Sequence, residues 1–299
     1  MCLEHIKIEK PRYKPGLFLC MEQIKVGIQG VKAAFHDMAA RAYFDSQEIQ
    51  LAEFRDFRSM TQAVAKGEIN YAMMAIENSL AGSLLTNYAL LEEFNLSVIG
   101  EEYLRIEMQL MALPGQTIEQ INQVVSHPIA LRQCDVFLEN HPNWRVTEWE
   151  DTAGSAKSIA ERNLEGVAAI AGKLAATTYG LEILAPSIET NKKNYTRFLV
   201  VSNQANVCRG CNKSSLRLIL SHIPGSLAHA LVVIEEEGIN LSKIQSVPIL
   251  GKPYEYAIHL DLEFTQEKQF ERAVKELKKM CIEVKIIGIY KQGNKPLQV

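Results

Sequence analysis

The sequence predicts an α/β fold in which a long region of alternating strands and helices is followed by a smaller unit. Three observations support this prediction. Short apolar runs alternate with segments of helical periodicity between residues 24 and 200. The segment SNQANVCRGCNKS (202–214) interrupts that alternation. The 299 residues, of which 47% are hydrophobic, also suffice for two domains with cores of their own.

In the first region each predicted strand is followed by a turn or by a helix signal. The predicted strands are KVGIQ (25–29), IQLAEF (49–54), YAMMAIE (71–77), QLMAL, VVSH, VTEW and VAAIA. The predicted helices cover 33–44, 60–67 and about 83–93. Ser59 is the expected N-cap of the second of these helices. Repeated strand–helix alternation predicts parallel sheets flanked by helices.

The second region predicts the order strand, helix, strand, strand, helix, strand. Its segments are SLRLILS, GSLAHALVVIEEEG, INLSKIQSVPI, YEYAIHLDLEF, EKQFERAVKELKKM and IEVKIIGIY. A βαββαβ order of this length is typical of a ferredoxin-like fold. YEYAIHLDLEF alternates apolar and polar residues, which predicts an antiparallel strand with one face in water.

Composition excludes several classes of protein. The net charge of −3 and the pI of about 6.2 argue against a general nucleic-acid binder. No apolar run is long enough to predict a membrane-spanning helix. Six irregularly spaced cysteines favour a reduced, cytoplasmic protein over a disulfide scaffold. Residues 21–212 hold 16 Lys and Arg against 23 Asp and Glu, so an anion bound there would need local hydrogen-bond donors.

Four predicted strand ends share one chemistry, because small or hydroxyl residues leave a strand and open a helix. They are IENSLAGS (76–83), VSHPIA (125–130), EDTAGSA (150–156) and IAGKLA (170–175). The first N–H groups of a helix favour carboxylates, and open α/β sheets bind ligands at their carboxyl edge. Several such turns together predict a carboxylate-binding cleft. For any one turn alone, ordinary N-capping by Asp151, Thr152 or Ser126 is the better interpretation.

A further strand, NYTRFLVVS (194–202), begins with the hydroxyl of Thr196 beside the guanidinium of Arg197. Arginine matches a carboxylate with two parallel hydrogen bonds, and threonine can donate or accept. Taken alone, the two residues are typical of an exposed polar pair at a strand start.

Other reactive side chains have structural interpretations. Histidine is a common acid near neutral pH, which makes His127 a candidate, but a histidine at a helix start more often caps or packs, and we favour that role. Cys208 and Cys211 form a CxxC pair for which the sequence holds no second pair, so a zinc site is not favoured. Cys134 follows an apolar helix face and is expected to be buried and inert.

Taken in order, these segments resemble the prephenate dehydratase family with a C-terminal ACT domain, over about residues 24–292. The segments that carry the resemblance are IQGVKAAFHDMAA (28–40), AIENSLAGSL (75–84), SHPIALRQC (126–134), DTAGSA (151–156) and NYTRF (194–198). The resemblance implies two α/β lobes around a cleft, similar to type II periplasmic binding proteins, with chain crossings near 103–107 and 184–190.

The expected organisation follows from this resemblance. It comprises an N-terminal extension (1–23), a dehydratase domain (24–203), a linker (204–213), an ACT domain (214–292) and a tail (293–299). Within the dehydratase domain, one lobe would hold about 24–103 and 187–203, and the other about 104–186.

The resemblance implies decarboxylating dehydration of prephenate to phenylpyruvate, in phenylalanine biosynthesis. Formation of the aromatic ring drives this reaction, so neither a metal nor an organic cofactor is expected. Thr196 would be the catalytic hydrogen-bond donor. Glu77 would be either a proton source or part of a structural ion pair. The expected substrate-binding residues are Glu77, Asn78, Ser79, Gly82, Ser126, His127, Thr152, Ala153 through its N–H, Arg197 and Phe198.

The resemblance also implies feedback regulation by L-phenylalanine and a homodimer or homotetramer. The expected effector-binding residues are Gly225, Ser226, Leu227, Ala228, Asn240, Leu241, Gln245, Ser246, Val247 and Pro248. Gln245 and Val247 replace a glutamate and an arginine common in the family. Ala33, Ala34, Phe35, His36 and Asp37 stand where many members read Gly-Thr-Phe-Ser-His. Two alternatives stay open: an arogenate dehydratase, and a sensor of small anions or amino acids without catalysis.

Overall fold

The computed structural model describes residues 23–45, 47–205, 210–249, 251–252 and 254–295. The predicted N-terminal extension, apart from Gln23, lies outside the described residues, as does Cys208.

The chain begins with alternating strands and helices. They are β1 (Ile24–Gln29), α1 (Phe35–Tyr43), β2 (Ile49–Phe54), α2 (Phe57–Ala65), β3 (Tyr71–Asn78), β4 (Gly82–Ser83), α3 (Leu85–Glu93) and β5 (Ser97–Arg105).

A second series follows and then a single long strand. The elements are β6 (Gln109–Ala112), a 3₁₀ turn (Ile118–Gln120), β7 (Gln123–Ser126), α4 (Pro128–Gln133), α5 (Asp135–Glu139), β8 (Arg145–Glu148), α6 (Thr152–Glu161), β9 (Val167–Ala171), α7 (Lys173–Tyr179), β10 (Glu182–Ala185) and β11 (Tyr195–Ser202).

The remaining elements are β12 (Lys213–Ile219), α8 (Ser226–Glu236), β13 (Asn240–Pro248), β14 (Tyr256–Glu263), α9 (Glu267–Met280) and β15 (Glu283–Tyr290). They follow the predicted βαββαβ order, and we call residues 213–290 the C-terminal unit.

The elements before residue 203 form two lobes, each built on one sheet. The first lobe has the strand order β2-β1-β3-β11-β5, with β4 beside β3. The second lobe has the order β10-β6-β9-β7-β8. The chain passes between the lobes at 106–108 and returns at 186–194. This arrangement confirms the expected two-lobed α/β fold.

The prediction of parallel sheets is wrong for the strands next to the lobe crossings. β1, β2 and β3 are parallel, but β11 runs antiparallel to both β3 and β5. In the second lobe, β7, β8 and β9 are parallel, whereas β6 is antiparallel to β9 and β10. A helical crossover within one sheet returns the chain in the same direction. A strand that arrives from the other lobe, as β11 does, enters from the opposite end.

The predicted N-cap of α2 is also wrong. The helix begins at Phe57, and Asp56 is its N-cap, with a carboxylate that accepts the Ser59 N–H at 2.7 Å. The helix starts a turn earlier than predicted because Phe57, like Met60, packs against the core of the first lobe.

The C-terminal unit is a four-stranded antiparallel sheet with the order β13-β14-β12-β15. Helices α8 and α9 pack on one face, where Leu216, Leu260, Ala273 and Leu277 are buried. This arrangement confirms the predicted ferredoxin-like order.

The opposite face of that sheet is not in water, which corrects the expectation for YEYAIHLDLEF. His259 and Asp261 on β14 are only 3% and 5% exposed. The reason is that this face packs against the first lobe, with Val247 and Ile287 in one apolar cluster with Leu199. Alternation shows which residues share a face, but it does not show whether that face meets solvent or another domain.

Candidate active site

A cleft with a volume of about 360 Å³ lies between the two lobes. Asn78, Gly82, Thr196 and Phe198 line it from the first lobe. His127, Ala130, Gln133 and Thr152 line it from the second lobe. The structure therefore brings together residues from four of the five segments that carry the family resemblance, and His36 adds the fifth.

Strand β11 places the Thr196 hydroxyl in the cleft. Side chains alternate along a strand, so Thr196 and Phe198 share the cleft face while Arg197 points away. Thr196 Oγ1 accepts a hydrogen bond from Asn78 Nδ2 at 3.0 Å, across the β3–β11 pairing. Among the described residues, none accepts a hydrogen bond from this hydroxyl, so its hydrogen can point at a bound molecule.

A chain of carboxamides connects this hydroxyl to the second lobe. Asn78 Nδ2 also donates to Asn194 Oδ1 at 2.8 Å, and Asn194 Nδ2 donates to Gln133 Oε1 at 2.9 Å. Asn194 is fully buried, and Gln133 ends α4. Sequence reasoning missed Asn194 and Gln133, although both lie inside segments that carry the resemblance. The sequence signal for each residue was only the presence of an amide side chain within such a segment.

Asn78 also shapes the turn that forms one wall of the cleft. Its Oδ1 accepts the N–H groups of Leu80 and Ala81 at 2.9 and 2.8 Å. Gly82 then takes a φ of +85°, in the left-handed region that favours glycine. The turn therefore depends on the amide of Asn78 and on glycine at position 82.

The second lobe presents helix starts to the cleft. His127 is the N-cap of α4, with Nδ1 accepting the Ile129 N–H at 3.2 Å. Asp151 caps α6 by accepting the Gly154 N–H at 3.1 Å, and Thr152 is the first helical residue. The capping interpretation of His127 and Asp151 is confirmed. Thr152 and Ser126 are not caps.

Two predicted ligands in the second lobe are turned into its core. Ser126 is fully buried, and its hydroxyl donates to the Ile170 carbonyl at 2.6 Å. The Ala153 side chain is also fully buried, among the apolar residues around α6. Ser126 therefore does not line the cleft, because its side chain is buried against the neighbouring strand β9. Binding through the Ala153 N–H stays a prediction.

Three predicted ligands in the first lobe also face away from the cleft. Glu77 Oε2 accepts from Lys243 Nζ at 2.7 Å, which is the structural ion pair of the two alternatives. Ser79 Oγ donates to the Lys193 carbonyl at 3.0 Å. Arg197 is 5% exposed and donates to Glu101 and Asp261. The predicted placement of Arg197 and Ser79 in the cleft is thus wrong. Arg197 follows Thr196 on β11 and takes the other face of that strand, and Ser79 comes just after the end of β3.

His36 lines the cleft, although sequence reasoning treated it only as a departure from the family motif. Its ring packs against Phe198 at 5.0 Å and Phe57 at 5.5 Å between centroids. Burial lowers the pKa of His36 to about 4, so the imidazole is neutral near pH 7. Its buried Nε2 has no hydrogen-bond partner among the described residues.

A second cavity, of about 900 Å³, lies in the C-terminal unit. Of the predicted effector-binding residues, Ser226, Leu227 and Ser246 line it. The others do not line it: Gly225, Ala228, Asn240, Leu241, Gln245, Val247 and Pro248. The side chain of Val247 is 8% exposed and packs against the first lobe, away from this cavity. Effector binding by these residues stays a prediction.

Cys134 and Cys211 are both buried. The predicted burial of Cys134 is confirmed, and burial raises its thiol pKa to about 12, so the thiol is protonated near pH 7. Cys211 is disulfide-bonded. Within the described ranges, no three His, Cys, Asp or Glu side chains are close enough to hold a metal ion. In the same ranges, no helix is both long and apolar enough to cross a membrane.

Comparison with known sequences gives one family. The sequence profile of prephenate dehydratase matches residues 26–206. The bifunctional chorismate mutase/prephenate dehydratase of Escherichia coli K12 is 30% identical over 275 residues, which cover 90% of this chain and 71% of the relative. The chloroplastic arogenate dehydratase/prephenate dehydratase 2 of Arabidopsis thaliana is 34% identical over 281 residues, which cover 90% and 73%.

Solved structures share the fold over most of the chain. A prephenate dehydratase from Arthrobacter aurescens in complex with L-Phe has a TM-score of 0.76 and 26% identity, covering 90% of both chains. A structure described as GqqA, a novel type of quorum quenching acylase, has a TM-score of 0.81 and 29% identity, covering 90% of this chain and 98% of the other.

Proposed function

The chain belongs to the prephenate dehydratase family, and from this we propose that its interlobe cleft converts prephenate to phenylpyruvate, carbon dioxide and water. The observation that carries the proposal is the Thr196 hydroxyl, which Asn78 holds at 3.0 Å on the cleft face of β11.

The reaction requires a hydrogen-bond donor at the leaving oxygen. Loss of carbon dioxide and the ring hydroxyl makes the ring aromatic, so no electron acceptor is consumed. Hydroxide is a poor leaving group, and a fixed donor stabilises the charge that develops on it. The Asn78 amide donates to Thr196 Oγ1 and thereby polarises the hydroxyl and directs its hydrogen away from the strand. Threonine is a weak acid, so we assign it hydrogen-bond stabilisation rather than full proton transfer.

Neutral donors would hold the two carboxylates of prephenate. No lysine or arginine is among the described residues that line the cleft. The first turn of the ten-residue helix α6 brings backbone N–H groups to the wall at Thr152, and these favour an anion. Gln133 and the neutral His36 add polar side chains.

The related substrate arogenate is the second candidate. It carries an ammonium group where prephenate has a keto oxygen. Glu150 and Asp151 both line the cleft, and their carboxylates suit a cation at that position. Acylase activity is not proposed, because the hydrogen-bond partner of Thr196 is an amide and not a base that could activate a nucleophile.

Feedback regulation and self-association belong to the same proposal. We assign L-phenylalanine to the C-terminal unit as an effector, and we assign this unit to the ACT domains. The βαββαβ order and the 900 Å³ cavity support this assignment. Ile223, Tyr254 and Ile282, which line that cavity, are 66%, 86% and 70% exposed. Such an apolar surface suits a homodimer or homotetramer in which a second copy covers it.

One assay separates the candidates. Purified protein is incubated with prephenate or with arogenate, and phenylpyruvate and phenylalanine are measured, with Thr196→Ala as the matched inactive enzyme. We expect phenylpyruvate from prephenate, and less of it when phenylalanine is added. Binding of prephenate without conversion would favour the sensor, and faster conversion of arogenate would favour the second candidate. Light scattering on the same sample gives the assembly.

A further inference from the structure

The two strands at the floor of the cleft send alternate side chains to opposite sides. Thr196 pairs with Asn78 across β3 and β11, and both line the cleft. Their neighbours Arg197 and Glu77 also pair across these strands, and both reach the C-terminal unit instead. Each cleft residue is therefore one peptide unit away from a charged side chain held by another part of the chain.

Arg197 is held from both sides. On its own lobe it donates to Glu101 Oε2 at 2.7 Å. On the C-terminal unit it donates to the Asp261 carboxylate on β14 and to Tyr290 Oη, the latter at 3.2 Å. Ser215 Oγ donates to Asp261 at 2.6 Å and so fixes the carboxylate in turn.

Lys243 of β13 holds β3, the partner strand of β11, in a similar way. Its Nζ donates to Glu77 Oε2 at 2.7 Å and to Ser83 Oγ at 3.0 Å. Ser83 pairs with Glu77 between β4 and β3, next to Gly82. A single ammonium of the C-terminal unit therefore ties down the strand end at Asn78 and the turn beside it.

Charged side chains from both units meet in this buried contact. Lys213 Nζ also donates to Glu101, at 2.9 Å, and its side chain is fully buried. Burial by itself would raise the pKa of Asp261, but the charge of Arg197 and the hydrogen bond from Ser215 outweigh it and hold that pKa below its ordinary value. Removing one partner would leave a buried charge without its counter-ion, which is costly.

We infer that Asp261 and Lys243 of the C-terminal unit are positioning residues for the reaction, because through Arg197 and Glu77 they fix the backbone that carries Thr196 and Asn78. The inference rests on the proposed function and deepens it. Thr196 can assist only if its hydroxyl meets the leaving oxygen at hydrogen-bond distance. A small displacement of a reacting group can cost a large factor in rate.

The structure supplies a matched control. Arg217 of the C-terminal unit forms an ion pair with Glu92 Oε1 at 2.6 Å. This pair also joins the C-terminal unit to the first lobe, but Glu92 lies on α3 and not on a strand that carries a cleft residue. Glu92→Gln therefore weakens the contact between the units without releasing β3 or β11.

The kinetic test compares wild type, Asp261→Asn, Lys243→Gln and Glu92→Gln with prephenate. We expect kcat to fall about 10-fold or more in the Asp261 and Lys243 variants, with KM within about 2-fold, because the cleft ligands of the second lobe are unchanged. We expect Glu92→Gln to stay within about 2-fold of wild type in both constants. An equal fall of kcat in the Glu92 variant, or normal kcat in the other two, would overturn the inference.

A readout independent of activity separates this inference from the proposed function. Amide hydrogen exchange at 78–82 and 194–198 should be faster in the Asp261 and Lys243 variants than in wild type, and unchanged in the Glu92 variant. If wild type fails to convert prephenate, the proposed function falls, and exchange still tests the positioning. If Asp261→Asn does not fold, Lys243→Gln carries the test, because its partner Glu77 is 42% exposed. Equal exchange in all variants would refute the inference.

Discussion

Replacing His259 with leucine should remove much of the acid sensitivity of this protein. The His259 ring is 3% exposed, and neither ring nitrogen has a hydrogen-bond partner among the described residues. It packs against Tyr88 of α3, with 4.8 Å between ring centroids. Desolvation by burial, followed by the charge of Arg217, lowers its pKa from 6.5 to about 4, against the opposing charge of Asp261.

The sign and size of the effect follow from this shift. The folded pKa lies below the unfolded value, so the unfolded chain takes up a proton first as the pH falls. Stability is therefore lost as the pH falls from about 6.5 towards 4. A shift of about 2.5 units corresponds to about 3 kcal/mol in full, of which about 2 kcal/mol is lost by pH 5. Leucine has a similar volume and no titratable group.

The assay is urea denaturation at pH 7.5 and at pH 5, for wild type and His259→Leu. Wild type should lose about 2 kcal/mol more free energy of unfolding between these pH values than the leucine variant does. Titration of His36 contributes equally to both proteins and cancels in the difference. The exposed His229, replaced by glutamine, serves as control and should keep the wild-type loss. Equal losses in wild type and His259→Leu would refute the reasoning.

Three further substitutions test local features. Gly288→Ala places a Cβ on the carbonyl oxygen of Val98, which belongs to the backbone and cannot rotate away. The variant should be less stable by about 2–3 kcal/mol, seen as a lower Tm. An unchanged Tm would contradict the packing of β15 on β5. Ala33 has a φ of 70°, and Ala33→Gly should raise stability by up to about 1 kcal/mol in urea denaturation; a loss would show that this strain is absent. Asp151→Ala removes the cap on the Gly154 N–H and should lower the free energy of unfolding by about 1 kcal/mol in urea denaturation. Asp151→Asn keeps a capping oxygen and should retain most of the wild-type stability.

Much of the order of the elements could be predicted from the sequence, because many elements carry an amphipathic period or a short apolar run. The amphipathic period located α9, and short apolar runs located β1 and β3. The direction of β11 could not be predicted, since no local pattern records from which lobe a strand arrives. The buried polar face of β14 was missed for a similar reason, because its counter-charge, Arg197, lies far away in the sequence.

For the site, motif resemblance found the right segments but not the right face of each strand. Thr196 and Asn78 line the cleft as predicted, but Arg197 and Glu77 do not. Alternation between neighbouring residues of a strand is enough to assign the members of each pair to opposite faces. The role of Asn194 could not have been predicted, because it depends on partners brought together only by the crossing between lobes.

The rate of a single turnover of prephenate most directly tests the role given to Thr196. Wild type, Thr196→Val and Thr196→Ser are each mixed with prephenate, with the protein in molar excess over the substrate. Formation of phenylpyruvate is then followed. We predict that valine, which keeps the shape and loses the hydroxyl, slows the reaction by about 100-fold or more while prephenate binds within a few-fold of wild type. Serine should restore most of the rate. A valine variant as fast as wild type would contradict the account.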